Sequence, residues 1–323
     1  MTIGRRQHVL KSLFAVSLLV PAFAAFAAGA QEARPRSAVG DQATPVPEEE
    51  AASPPEAPKT TEEPLAVYLK DRGFGIATSM FGTYIRRGEL IVYPYWEYYY
   101  DNAKEYQPEE LGFAGQQDFR GRYRASEGLF FVAYGLTDYL AVQAEVAGIR
   151  ASLDKSPKDL SGLPPKLQQS GLGSFETQFR WRWRKENERR PELWSYLDIV
   201  YPTNKKEPLI GTVGWELELG TGVTRGFNWG TLTARASLAY EGASTTKLAL
   251  GEYAFEYLKR VSPSWRLFAA VQGAEDAVSL ITEVQWHLTR TAFIRFNQEL
   301  GLTSRATDWE PQIGIVFTLP TRR

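Results

Sequence analysis

The chain has no cysteine, which excludes disulfide cross-links, thiol nucleophiles and cysteine metal sites. Histidine is almost as scarce: His8 sits in the N-terminal segment, and His287 stands alone in the rest of the chain. One histidine without cysteine cannot furnish a zinc donor set, and a Ser–His mechanism would have to run on His287. His287 falls on a polar parity near a tight turn, where a hydrogen-bonding role suffices. No excess of either charge is present: 37 Lys+Arg against 38 Asp+Glu give a formal net charge of -1, which leaves no footprint for nucleic acid. Gly73-Phe74-Gly75 lacks the third glycine of a dinucleotide loop, and no spaced Asp/Asn/Gly loop for calcium is present. No cofactor or metal is implied. Beyond residue 30, no segment approaches the roughly 18 to 20 apolar residues that a spanning helix needs. If this part of the chain enters a membrane, it must do so as a closed barrel. Only helices and closed sheets pair every backbone donor and acceptor in lipid.

What is present begins with an export signal over residues 1–30. Arg5, Arg6 and Lys11 form its basic region, an apolar stretch follows, and Ala28-Gly29-Ala30 has the small-x-small form of a cleavage site. Residues 31–64 are rich in Pro, Ala and Glu and lack aromatics, the composition of an extended linker that cannot bury a core. Residues 65–87 regain apolar side chains, among them Leu69, Phe74, Ile76, Met80 and Phe81. They are expected to cap one mouth of the following domain or to enter it as a plug.

From residue 88 to 320 the hydropathy has a period of two. Between Leu172 and Trp183, Phe175, Thr177, Phe179, Trp181 and Trp183 share one face, and Glu176, Gln178, Arg180 and Arg182 share the other. Twelve strands are expected, at about 89–100, 123–134, 139–149, 172–184, 193–201, 211–225, 230–240, 247–259, 264–272, 277–288, 291–302 and 309–319. Most are long for soluble strands and suit tilted bilayer crossings. Short turns follow the even strands and longer loops follow most odd ones, the outer-membrane pattern with a periplasmic N-terminus. The nine tryptophans lie near strand ends: Trp181, Trp183, Trp194, Trp229, Trp265 and Trp286 towards the periplasmic rim, Trp96, Trp215 and Trp309 towards the outer one. An aromatic girdle at each interface accounts for them.

With the apolar face turned to lipid, the opposite face lines the lumen with Glu97, Glu145, Gln178, Arg180, Arg182, Asp198, Glu216, Glu218, Arg235, Glu252, Glu256, Arg266, Glu283, Arg295, Glu299 and Glu310. Opposite signs tend to fall on neighbouring strands, with Glu145 beside Arg180 and Arg182, Glu218 beside Arg235, Arg235 beside Glu252 and Glu256, and Arg266, Glu283 and Arg295 in succession, whereas strands five and six are both acidic, and so are twelve and one where the barrel closes. A cross-strand ion-pair lattice is expected, as arginine suits bidentate carboxylate contacts. The pair Glu216 and Glu218, two apart on one strand, reads as lining rather than as glycosidase carboxylates. In the second strand Arg122 and Arg124 share a parity with Phe130 and Val132, which calls for a bulge near Glu127-Gly128 or places the arginines in a loop.

Arg87-Gly88-Glu89-Leu90 at the first strand, Tyr134-Gly135-Leu136-Thr137-Asp138 at the first hairpin and Ser170-Gly171-Leu172-Gly173-Ser174 before an aromatic/Arg strand are turn and strand-start signals. Over residues 88–319 the chain resembles the Gram-negative outer-membrane "transporter" or MetA-pathway of phenol degradation family. Outer-membrane chains commonly end on a terminal aromatic read by the assembly machinery, whereas here Pro320-Thr321-Arg322-Arg323 follows Leu319. The expectation is an all-β, transmembrane antiparallel β-barrel of about 12 strands (range 10 to 14) in the outer membrane. Its partners would be outer-membrane lipid, the assembly machinery and a small polar or amphipathic solute that it passes or binds, with no nucleic acid. A plugged structural or tethering barrel is the alternative, and an outer-membrane lipid-modifying enzyme comes third.

Overall fold

In a computed structural model of the chain, residues 65–203, 206–243 and 247–321 are described. The export signal and linker expected over residues 1–64 lie outside the described residues. Two short strands, β1 (Ile76–Ala77) and β2 (Tyr84–Ile85), form a small hairpin. Twelve further strands follow: β3 (Glu89–Tyr106), β4 (Phe119–Gly135), β5 (Leu140–Asp154), β6 (Lys166–Arg184), β7 (Glu192–Tyr201), β8 (Glu216–Phe227), β9 (Gly230–Glu241), β10 (Leu248–Arg260), β11 (Trp265–Ala274), β12 (Ala277–His287), β13 (Ala292–Gly301) and β14 (Trp309–Pro320). Each runs antiparallel to its neighbours in chain order, and β14 pairs with β3, so the sheet closes into a barrel. Closure removes the unpaired edges that an open sheet would carry.

The period of two is resolved into an inside and an outside. In β4, Tyr123, Ala125, Glu127, Leu129, Phe131 and Ala133 are buried inward. In β6, Gln178, Arg180 and Arg182 point inward, while Phe175, Phe179 and Trp183 lie exposed on the outer surface. The exposed belt continues around the barrel through Leu219, Leu238, Phe255, Leu267, Phe296, Ile313 and Phe317. An apolar surface this extensive has no place in water and suits a hydrocarbon solvent. β7 to β14 are 10 to 13 residues long, but β3 to β6 reach 18, 17, 15 and 19 residues. These four strands extend past the apolar belt at the end that carries most of the longer loops.

That extension accounts for Arg122 and Arg124. The pairing of β3 with β4 runs unbroken from Leu90↔Tyr134 to Asp101↔Tyr123, with the irregularity falling later, between Asp101 and Lys104. No bulge occurs at Glu127-Gly128; the arginines keep their outward parity on the part of the strand beyond the belt. There Arg122 lies 3.3 Å from the side-chain oxygen of Asn102, and Arg124 stacks over the Tyr100 ring. The strand expected from 211 starts instead at Glu216, because Leu209 and Ile210 turn inward and are buried against Tyr123, Ile149 and Leu153.

Pro311 and Pro94 lie within the strands of the seam between β14 and β3, with Pro320 at the end of β14, and the residue pairing is interrupted beside Pro311 and Pro94. Proline cannot donate a ladder hydrogen bond, so such positions are confined to weak points of a sheet. Inside this seam, Tyr93 and Tyr95 stack with ring centroids 4.4 Å apart. A Cβ at Gly314 would come within 2.4 Å of the Tyr95 Cβ, so glycine is what lets the two strands close beneath the rings.

The inside–outside assignment predicts a contrast. Phe179→Arg, on the apolar belt, is expected to cost roughly 2–4 kcal/mol in a bilayer. Ser152→Arg, outward on the extension of β5, is expected to stay within about 0.5 kcal/mol, as surface substitutions do. Guanidinium unfolding midpoints in lipid vesicles measure both.

Candidate functional site

The interior of the barrel is the candidate site, and its contents are sorted along the axis. Towards the short-turn end lie the inward arginines Arg180, Arg182, Arg235, Arg266 and Arg295. Residues 65–88 fold back into this end. A 3-10 turn (Val67–Leu69) leads to Asp71 and Arg72, both buried. Arg72 donates to Glu192 at 3.1 Å and to Glu186 at 2.8 Å, and its guanidinium stacks over the Tyr84 ring. Asp71 accepts the backbone N–H of Arg260 at 2.8 Å. Burial raises the pKa of the Glu186 carboxyl, in the turn between β6 and β7, while the Arg72 charge opposes that shift. At the rim, Lys185 donates to Asp138 at 2.7 Å and holds that carboxyl below its usual range.

The hairpin of β1 and β2 sits deeper. Arg180 donates to the Ala77 carbonyl at 3.2 Å and lies over the rings of Trp194 and Tyr196. Ser79 donates through its backbone N–H and hydroxyl to Gln143 at 2.9 and 2.7 Å. Phe81 stacks on Phe268 at 5.4 Å beneath Arg235. Two wall glycines make room for the backbone of the segment. A Cβ on Gly226 would fall 1.8 Å from the Tyr68 carbonyl oxygen, and one on Gly135 would fall 2.0 Å from that of Arg86.

The remaining arginines are held by wall groups. Arg235 donates to Glu252 at 2.7 Å and Glu256 at 3.0 Å, Arg295 bonds Glu283, and Arg182 lies 3.3 Å from Glu192. The pairing expected between Glu145 and the two β6 arginines does not form. In register Glu145 faces Glu176, whereas Arg180 faces Ala141. Glu145 instead accepts the Tyr95 hydroxyl at 2.7 Å. Of its two expected neighbours Arg235 bonds the glutamates of β10, Glu252 and Glu256, while Glu218 accepts the Tyr196 hydroxyl at 2.6 Å. Arg266 faces Gln285 rather than a carboxylate, and its Nε has no hydrogen-bond partner among the described residues. Among the described residues the arginine–glutamate pairs between strands gather in the arginine half, and at the long-loop mouth Arg305 bonds Asp276 at 2.8 Å and lies 3.7 Å from Glu105.

Towards the long-loop end the lining changes sign. Five pairs of inward acidic residues stand directly opposite one another on adjacent strands: Glu97 and Glu127, Glu145 and Glu176, Asp198 and Glu218, Glu216 and Glu241, Glu299 and Glu310. Glu97 is fully buried and accepts from Tyr99 at 2.6 Å and Gln312 at 2.9 Å. Lys104 adds one inward cation near Asp101 and Glu310. Three adjoining cavities occupy this half, of about 60, 110 and 160 Å³. Ser79 and Phe81 of the N-terminal segment floor the first. Glu176 and Glu216 line both the first and the second, and Glu252 lines both the first and the third.

The tryptophans divide. Trp183, Trp215, Trp229, Trp265, Trp286 and Trp309 are exposed near strand ends, Trp96 is exposed in the middle of the lengthened β3 and Trp181 is half-buried, but Trp194 is only 1% exposed. The parity that turns Asp198 inward turns Trp194 inward too, so it belongs to the interior and not to a girdle. Its indole donates to Thr224 at 3.1 Å and packs over Gly222. Arg72, Glu127, Glu176, Glu186, Glu192 and Glu241 were not among the expected site residues. Glu176 and Glu241 carried the inward parity in plain view. Glu127 is masked because the inward face of β4 is otherwise apolar, which inverts the hydropathy signal. His287 stacks on Phe293 at 4.6 Å, and its Nε2 has no hydrogen-bond partner among the described residues. No group of three or more metal-ligating side chains is positioned to hold a metal ion among the described residues.

The buried Arg72 contacts predict a separable effect. Arg72→Met leaves Glu186 and Glu192 partly uncompensated. It is expected to cost about 3 kcal/mol, the lower end for breaking a buried pair, because Arg225 and Arg182 still reach the two carboxylates. The loss falls on seating of residues 65–88. Limited proteolysis should therefore cleave that segment faster while the barrel's circular dichroism stays unchanged.

No family model matches the chain, and no curated protein matches its sequence. Among solved structures, an outer membrane channel from Pseudomonas putida F1 is similar at a TM-score of 0.55 and 13% identity, over 73% of this chain and 97% of the channel. The translocator domain of an autotransporter from Neisseria meningitidis aligns at TM-score 0.43 and 11% identity, over 71% of this chain and 88% of its own. A toluene transporter from Ralstonia pickettii aligns at TM-score 0.38 and 12% identity, over 74% and 90%. At these identities the likeness is one of fold, and only the first has a TM-score that supports even that. The chain shares its closed antiparallel barrel with an outer membrane channel.

Proposed function

We propose that the protein is an outer-membrane barrel that takes a small polar or amphipathic solute into its lumen from the long-loop side, with residues 65–88 closing the periplasmic half. The observation that carries this reading is a polar interior behind an apolar exterior belt, with cavities above a floor built from Ser79 and Phe81. A barrel serving only as an anchor has no need of charged, solvent-sized space in its core. The export signal over residues 1–30, delivery by the outer-membrane assembly machinery and a periplasmic N-terminus belong to the same reading. The polarity follows from the short turns, which face the periplasm in outer-membrane barrels. The girdle assignment reduces to the tryptophans on the outer surface.

A second reading, a plugged barrel that tethers the N-terminal region, is favoured by the same buried contacts of Arg72 and Asp71. An enzyme working through His287 has no base–orienter hydrogen bond in its support.

Planar-bilayer recordings separate the readings. The full chain is expected to pass little current, and a variant lacking residues 65–86 to pass at least about tenfold more, as side-chain-filled barrels do once unplugged. Silence from both forms would replace the conduit by the tether. A milder version is Gly226→Val, which removes the room for the Tyr68 carbonyl. It should raise open probability without loss of the folded barrel, read from single-channel traces.

A further inference from the structure

The acidic half of the lumen is built in a way that the solute reading does not explain. Carboxylates placed directly opposite on neighbouring strands repel, and a sheet normally avoids them. Here the motif recurs five times on the wall. Nearer the short turns Arg235 bonds Glu252 and Glu256, and Arg295 bonds Glu283. Within the facing acid pairs Glu127 has an unmet oxygen. It is 2% exposed, lines the cavity of about 110 Å³, and its Oε1 has no hydrogen-bond partner among the described residues. A buried carboxylate oxygen without a donor is costly, and an ammonium group supplies both the donor and the charge.

The remaining wall of this cavity narrows the ligand class. Leu129, two residues along β4, and Ile149, the direct β5 partner of Glu127, flank the carboxylate on the wall; Leu209 and Ile210 of the loop before β8 complete the apolar lining, and Lys104 adds one cation to it. Leu209 is held there by a bond from its backbone N–H to the Gln169 side chain at 2.7 Å, and its carbonyl accepts the Tyr123 hydroxyl at 3.4 Å. The cavity therefore sets carboxylates beside apolar side chains. A hydrated divalent ion would gain nothing from the apolar part. The described residues also offer no cluster of three metal-ligating side chains. We infer that this cavity binds a small organic amine, its ammonium group bonded to Glu127 and its apolar body laid against Leu129, Ile149, Leu209 and Ile210. The facing acid pairs around it draw cations from the long-loop mouth. The inference deepens the solute reading and rests on it for the route by which the amine arrives.

Calorimetric binding to the full chain in detergent micelles tests it with three probes of one shape and different charge: benzylamine, benzyl alcohol and benzoate. Protein-free micelles supply the partition baseline. Benzylamine is expected to bind saturably, benzyl alcohol at least about tenfold more weakly because the charge-assisted bond is missing, and benzoate not at all. Glu127→Gln should bring benzylamine down to the level of benzyl alcohol. Because that change removes a like-charge contact with Glu97, the variant barrel should resist heat at least as well as the parent. Glu145→Gln, on the rim of the same cavity, should weaken benzylamine less than Glu127→Gln does. Absence of saturable benzylamine binding, equal binding of amine and alcohol, or undiminished binding by Glu127→Gln overturns the assignment. Magnesium chloride binding more tightly than benzylamine overturns it in favour of a metal ion. Conductance reports on the conduit separately: benzylamine binding with no current from the variant lacking residues 65–86 keeps the site and ends the conduit reading.

Discussion

The pairing of β14 with β3 is the contact on which the rest of the molecule depends. Eleven of the neighbouring strand pairs are joined by a connecting loop, and this one is made between strands far apart in the chain. Until it forms, the sheet has two open edges and no interior. Once it forms, every inward residue faces another across a confined space, and every outward residue faces the surrounding medium. Pro94 and Pro311 make it a pairing with interruptions, and the stacked Tyr93 and Tyr95 over Gly314 strengthen it from inside. Side-chain packing thus supports the closure where the backbone ladder is incomplete.

The confined interior then sets the electrostatic problem. Burying an arginine or a carboxylate is costly unless partners are supplied, and the barrel supplies them unequally. Near the short turns the partners are fixed: wall carboxylates for Arg235 and Arg295, and the N-terminal segment for Arg180 and, through Arg72, for Glu186 and Glu192. Residues 65–88 are in this sense part of the lining, completing a hydrogen-bond network that the strands alone leave open. Towards the longer loops the acids face one another. The segregation gives the interior an axial polarity, acidic at the mouth and arginine-rich at the base.

The apolar faces inside the barrel have a second consequence. β3, β4 and β5 carry inward Tyr, Leu, Phe and Ile side chains that pack with Leu209 and Ile210 from the loop before β8. The same three strands carry Glu97, Glu127 and Glu145, so the cavity they share with that loop sets carboxylates beside apolar side chains.

The amino-acid sequence by itself determined the strand count, the alternation and the antiparallel meander, because a period of two and the turn residues are local properties that survive without neighbours. It also marked most of the inward charges, from Glu97 to Glu310, through parity. It did not decide who meets whom. Glu145 lies among tyrosine and glutamate rather than arginine, since register and the bulge between Val146 and Gly148 are settled by pairing across the whole sheet. Trp194 passed for an interface residue because its distance from a strand end is local, whereas the side it faces depends on the barrel that surrounds it. Glu127 was hidden by an inward face more apolar than the outward one, a reversal that only the docked loop with Leu209 and Ile210 explains. Which face is inside, and which charges are left without a partner there, are properties of closure, and closure is a contact between the two ends of the sheet.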